Sequence, residues 1–210
     1  MITVPRLHVV TDDLVLARGD FLPVARKLLE VGGEALAFHV RGPNTDGRRL
    51  YELAHELLTF GEEGARILVN DRVDVALATG TDGVHLGRRS LSVARARGLV
   101  GSVALVGVSV HDAGEDAEMM QDGPDYAFVG TLYPTPSHPG HVGGGSTLLS
   151  EVAEVAKGLS LVGIGGVRPE RVAEVLGAGG YGVAVIRGIW CADDPNRALG
   201  EYLSALGELT

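Results

Sequence analysis

Eight short runs rich in apolar and β-branched residues alternate with stretches whose apolar residues recur at helical spacing. The runs fall at 6–12, 35–41, 66–69, 82–86, 103–108, 126–129, 161–166 and 182–186. A continuous apolar run reads as a strand buried on both faces, as in a parallel sheet. Strands alternating with amphipathic helices mean βαβ units. Eight such units in 210 residues predict an α/β fold, the (β/α)8 TIM barrel at its short end. A doubly wound open sheet is the alternative. No linker, low-complexity tract or heptad interrupts the pattern, so one TIM-barrel domain over 1–210 is expected.

The helices are expected from their spacing and caps. Asp20 precedes a helix over 21–31 with Leu22, Ala25, Leu28 and Leu29 on one face. Thr45 or Asp46 caps a helix carrying Leu50, Leu53, Leu57 and Leu58. Asp71 opens a short helix with Val75 and Ala76, and Ser90 or Ser92 caps the next. His111 and Asp112 begin a polar helix with Ala117, Met119 and Met120. Further helices are expected over 147–155, 170–176 and 193–206.

A barrel places its chemistry at the C-terminal ends of its strands, and commonly a phosphate site on the loops after strands seven and eight. The seventh run, L-V-G-I-G-G, ends on Gly165 and Gly166. This pair lets the backbone turn sharply and approach a ligand. Pro169 and Glu170 then favour a helix start, so the turn reads as an anion site. A second turn, Ile186-Arg187-Gly188, ends the eighth run. The other strand ends give Thr11, Asp12, His39, Arg41, Asn70, Asp71, His85, Ser109, His111 and Thr131. Asp12 and Asp71 are equally readable as helix caps, Ser109 as an N-cap and His85 as a core histidine. Arg41, ending an apolar strand, needs an anion.

Bulk properties narrow the partners. A formal net charge of -9 argues against unspecific nucleic-acid binding. The single cysteine, Cys191, excludes an intrachain disulfide and suits a reducing compartment. No signal-peptide pattern and no membrane-length apolar run are present, so a soluble cytoplasmic protein is expected. Metal signals are sparse. No Cys/His spacing suggests zinc. Asp71 and Asp12 are the well-placed carboxylates, and magnesium commonly takes one or two together with substrate phosphates.

Seven pieces appear in order: V-V-T-D at the first strand, V-N-D-R-V-D-V-A-L from Val69, D-G-V-H-L-G from Asp82, G-V-S-V-H from Gly107, D-Y-A-F-V-G-T-L-Y-P-T-P-S-H from Asp125, I-G-G-V from Ile164 and G-V-A-V-I-R-G-I from Gly182. Together they resemble the thiamine phosphate synthase/TenI family of TIM barrels, over nearly the whole chain. The resemblance implies one of two activities. The synthase joins a pyrimidine pyrophosphate to a thiazole phosphate, releasing pyrophosphate with Mg2+. Some TenI-like members aromatise thiazole phosphate by moving a proton. Both hold thiazole phosphate on the glycine turns, here Gly165, Gly166, Ile186 and Arg187.

Carried over residue by residue, the synthase pattern is eroded. The second-strand Q-x-R-x-K reads His39, Arg41 and Pro43. The N-D pair survives as Asn70 and Asp71, with Asp71 as the metal ligand. H-L-G-Q-x-D becomes H-L-G-R-R-S, which puts Arg88 for the Gln and Ser90 for the second metal-ligating Asp. Ser109 matches the serine near the pyrophosphate. T-x-T-K reads Thr135, Ser137 and His138, and the tautomerase histidine is Thr131. Arg88 and Arg89 supply positive charge but cannot ligate magnesium.

The intact turns and reduced metal site favour a TenI-like thiazole tautomerase of thiamine biosynthesis, needing no cofactor. Histidine suits its proton transfer, with His138 first and His111 and His39 behind it. A divergent thiamine phosphate synthase using Mg2+ is the second expectation, and a non-catalytic thiazole phosphate sensor the third. The expected partner is a small phosphorylated thiazole. Neither nucleic acid nor membrane is expected, and a homodimer is compatible with the chain. Gly143, Gly144 and Gly145 suggest a mobile lid within 131–146.

Overall fold

A computed structural model describes residues 3–60, 64–114, 117–136, 140 and 142–208. Among the described residues, eight parallel strands close into one barrel in sequence order. They are β1 (Leu7–Val10), β2 (Leu36–Val40), β3 (Arg66–Asn70), β4 (Gly83–Leu86), β5 (Leu105–Val110), β6 (Tyr126–Val129), β7 (Ser160–Ile164) and β8 (Gly182–Val185). The ring closes where Leu7 pairs with Val183 and Val9 with Val185. The barrel expectation therefore holds and the open sheet is excluded. No helix among the described residues is long and apolar enough to cross a membrane.

The helices form the outer layer: α1 (Asp13–Leu16), α2 (Phe21–Gly32), α3 (Gly47–Phe60), α4 (Val73–Thr79), α5 (Val93–Val100), α6 (Ala117–Gln121), α7 (Gly145–Val155), α8 (Val172–Gly177), α9 (Arg187–Trp190) and α10 (Pro195–Leu206). α2 buries Phe21, Ala25, Leu28 and Leu29, the stripe that the 3.6-residue period dictates. Each such leucine contributes about 1.5–3 kcal/mol on burial. Trp190 stacks on Phe21, with ring centroids 5.6 Å apart, and donates from its indole N–H to the Val10 carbonyl.

Several caps differ from expectation. Asp12 does cap α1, accepting from the Val15 N–H, and Asp46 accepts from the Arg49 N–H. Asp20 makes no cap bond and instead pairs with Arg18. Ser92 stands at the α5 cap without a side-chain bond. His111 and Asp112 do not begin a helix, because α6 starts at Ala117. α1 and α9 had no sequence signal, since four residues are too few to show a period.

The barrel interior is unusual in its polarity. Val10, Ala37, Leu68, Leu105, Tyr126, Phe128, Val162 and Ala184 form an apolar cluster distinct from the larger core beneath the helices. Among the rings of this interior stand His8, His39 and His85, all buried. Gly107 makes room for Tyr126: a Cβ there would lie 2.0 Å from the phenol ring.

Candidate active site

One cavity of about 1130 Å³ opens at the C-terminal ends of the strands. Arg41, Asn70, Asp71, Ser109, His111, Thr131, Thr135, Gly165, Gly166, Ile186 and Arg187 all line it. One expected proton carrier, His39, does not belong to that wall. His39 is fully buried behind Asn70, with both ring nitrogens hydrogen-bonded, so it is corrected from a catalytic to an interior residue. His138, with Ser137, lies outside the described residues.

The first wall is the glycine turn after β7. Gly165 has φ +95 and Gly166 φ +64, the left-handed region that side chains rarely adopt. A Cβ on Gly166 would also lie 2.6 Å from the Pro134 carbonyl oxygen. The next wall residues come from the start of α9, where Ile186, Arg187 and Gly188 line the same cavity.

The facing wall comes from β2, β3 and the β4–α5 loop. Arg41 is fixed at its backbone: its N–H donates to the Thr11 hydroxyl oxygen at 2.8 Å. Its guanidinium has no hydrogen-bond or ion-pair partner among the described residues, and neither has that of Arg187. Six arginines and two aspartates line the cavity as a whole, so the mouth is cationic although the chain is acidic. Arg72 is already bound to Asp74, at 2.8 and 2.6 Å.

Asp71 is held in the left-handed region at φ 63, an uncommon conformation that Asp tolerates better than most residues. It therefore does not cap α4; Arg72 occupies the cap position. Its Oδ1 accepts from the Gly87 N–H at 2.9 Å and from the Ser90 hydroxyl. Ser90 thus touches the carboxylate rather than capping α5. No group of three or more His, Cys, Asp or Glu able to hold a metal occurs among the described residues.

Two buried hydrogen-bond chains run from the barrel interior to the wall, which His85 itself helps to line. His8 bridges the Pro5 carbonyl at 3.0 Å and the His39 ring at 2.9 Å, and His39 reaches the Asn70 amide at 3.0 Å. His85 bridges the Tyr126 hydroxyl at 3.1 Å and the Ser109 hydroxyl at 2.9 Å. Burial pushes His39 down to about 4. Burial, then the charge of His39, pushes His8 and His85 well below the usual histidine value. Burial, then Asp125, holds the Tyr126 phenol up. Sequence reading missed His8, which looks like any residue of a valine-rich strand until the register turns it inward.

The family model described as thiamine monophosphate synthase matches residues 7–189. The chain belongs to the thiamine monophosphate synthase family. Within it, the thiamine-phosphate synthase of Salinispora arenicola is 38% identical over 210 residues, covering 98% of this chain and 99% of that protein. The thiamine-phosphate synthase of Mycolicibacterium smegmatis is 41% identical over 143 residues, 68% of this chain and 63% of that protein. The solved structure of thiamine phosphate pyrophosphorylase from Pyrococcus furiosus is 32% identical with a TM-score of 0.81, covering 97% of this chain and 96% of that one. The first two carry the name synthase and the third the name pyrophosphorylase, and the isomerase expectation finds no support among them.

Proposed function

We propose that this chain is a thiamine-phosphate synthase, joining a pyrimidine pyrophosphate to a thiazole phosphate with release of pyrophosphate. The observation that carries the reading is one cavity with two separate walls, the glycine turns with Arg187 on one and Arg41, Arg88 and Arg89 on the other. An isomerase acting on one thiazole phosphate needs only the first. A volume of about 1130 Å³ exceeds the usual range for a single small ligand and suits two.

The thiazole phosphate sits on the turns of Gly165, Gly166, Ile186 and Arg187, where backbone N–H groups and one guanidinium offer donors. Arg41 and Ser109 take the pyrophosphate of the second substrate, with Arg88 and Arg89 beside it. Thr131 and Thr135 close the substrates in from the loop after β6. Holding the two reactants in one enclosed space converts their encounter into a positioned step. The bond to pyrophosphate breaks as the bond to the thiazole forms, and the arginines offset the charge that leaves. His111, anchored to the Gly130 carbonyl, shapes the mouth without a required proton transfer.

Asp71 fits magnesium as a single-carboxylate holder, because its Oδ2 has no partner among the described residues. Magnesium takes its remaining ligands from water and substrate phosphates. The chemistry it supplies when bound is neutralisation of the departing pyrophosphate. Ser90 offers a neutral oxygen where a second carboxylate would bind more tightly.

Incubation of the protein with both substrates and Mg2+ should yield thiamine phosphate. Absence of product, with thiazole phosphate still bound in calorimetry, would replace this reading by the sensor. A cytoplasmic setting accords with the lone cysteine.

A further inference from the structure

The two buried chains set which hydrogen-bonding atom each wall residue shows to a ligand. The Pro5 carbonyl only accepts, so the His8 Nε2 that lies 3.0 Å from it carries a proton. His8 and His39 are both fully buried, and among the described residues no carboxylate is hydrogen-bonded to either ring. A charged imidazole there is costly, and both rings are neutral at neutral pH. His8 Nδ1 is then an acceptor, and His39 Nε2 donates to it across 2.9 Å. That leaves His39 Nδ1 with a lone pair. The amide of Asn70, 3.0 Å away, has to donate to it through Nδ2. The structure sets Oδ1 at that point, and the donor count requires the half-turned amide. The Asn70 oxygen then faces the cavity.

The second chain runs by the same count. The Tyr126 hydroxyl has one partner among the described residues, His85 Nδ1, and donates its proton there. The His85 ring is neutral, so its Nε2–H donates to the Ser109 oxygen. The Ser109 proton is left to point into the cavity, which Ser109 lines.

We propose that His8–His39 and Tyr126–His85 are positioning relays that fix the polarity of the cavity wall, making Asn70 an acceptor and Ser109 a donor. Asn70 is matched to an N–H or O–H group of the ligand. Ser109 is matched to a phosphate or carbonyl oxygen. A phosphate oxygen opposite Asn70 would meet another oxygen, so Asn70 leaves the set of anion-binding residues. The inference goes beyond the synthase reading and is tested on the free protein, without substrates.

The test is long-range 1H–15N correlation spectroscopy of the histidine-labelled protein near neutral pH, with assignments from single His8→Phe, His39→Gln and His85→Gln variants. His8, His39 and His85 should all appear as neutral Nε2–H tautomers. In His8→Phe the acceptor for His39 is gone, and His39 should switch to the Nδ1–H form, donating to the Asn70 oxygen. A wild-type spectrum with His39 or His85 protonated at Nδ1, or with an imidazolium at any of the three, overturns the proposal. So does an unchanged His39 tautomer in folded His8→Phe. Should that variant fail to fold, Asn70→Asp serves instead: a carboxylate only accepts, so His39 must then carry a proton at Nδ1, and its failure to do so overturns the relay.

Discussion

The Tyr202 hydroxyl donates to the Val167 carbonyl at 2.9 Å, tying α10 to the glycine turn after β7. The same oxygen lies where a Cβ on Gly188 would come within 2.3 Å. One buried phenol therefore supports both turns of the phosphate-binding wall. Burial, with Glu170 nearby, pushes that phenol up to about 12, so it stays a donor at all ordinary pH. Tyr202→Phe leaves the Val167 carbonyl without its partner and should cost about 1–3 kcal/mol in urea unfolding. Thiazole phosphate affinity in calorimetry should fall with it, by a few-fold.

Acid should destabilise the protein through its interior histidines. The folded-state value of His39 is about 4, against 6.5 for the ordinary side chain. Between these values the unfolded chain binds more protons than the folded one, so stability rises with pH and is lost as pH falls from about 6.5 towards 4. His39 alone accounts for about 3 kcal/mol of that loss. His8 and His85 act in the same direction. Urea midpoints near neutrality and at about pH 5 should differ clearly, and His39→Gln should flatten the difference. Equal wild-type midpoints would refute the assignment.

Gly166→Ala tests the turn directly. The new Cβ would lie 2.6 Å from the Pro134 oxygen and 2.9 Å from the Tyr133 Cβ, on a backbone with φ +64. Strain of this kind costs about 1–3 kcal/mol. Calorimetry should show at least about a tenfold loss of thiazole phosphate affinity, which is about 1.4 kcal/mol. Affinity for the pyrimidine pyrophosphate should hold, because Arg41 and Ser109 stand on other strands.

Ser90→Asp sets a second carboxylate against Asp71. Without metal the two like charges should lower the melting temperature. With Mg2+ the stabilisation should exceed that of the wild type by about 1.4 kcal/mol, equivalent to about tenfold tighter binding. An identical Mg2+ response in the two proteins would mean that residue 90 does not face the ion held by Asp71.

The barrel was legible because most residues of each strand are buried on both faces, so the strands read as short runs rich in apolar residues. The glycine turn was legible because Gly165 and Gly166 interrupt such a run where a barrel keeps its phosphate sites. Asp71 was harder: an aspartate before a helix reads as a cap, and its left-handed backbone has no signature in the local sequence. Asp20 was read as a cap for the same reason, although Arg18 lies close enough to claim it. His39 could be placed on a strand but not behind a wall, because its depth depends on the registers of β1, β2 and β3. His8 shared that blindness, and the β1–β2 pairing brings it against His39 from 31 residues away.

The glycine turns hang from β7 and β8, while Arg41 and Asp71 follow β2 and β3, on separate parts of the ring. Replacing a residue in one group leaves the hydrogen bonds of the other untouched. Such a mouth is separable into parts. One half can drift towards a new co-substrate or lose its metal while the other goes on holding the same phosphate, and the history of the chain is free to run at two speeds.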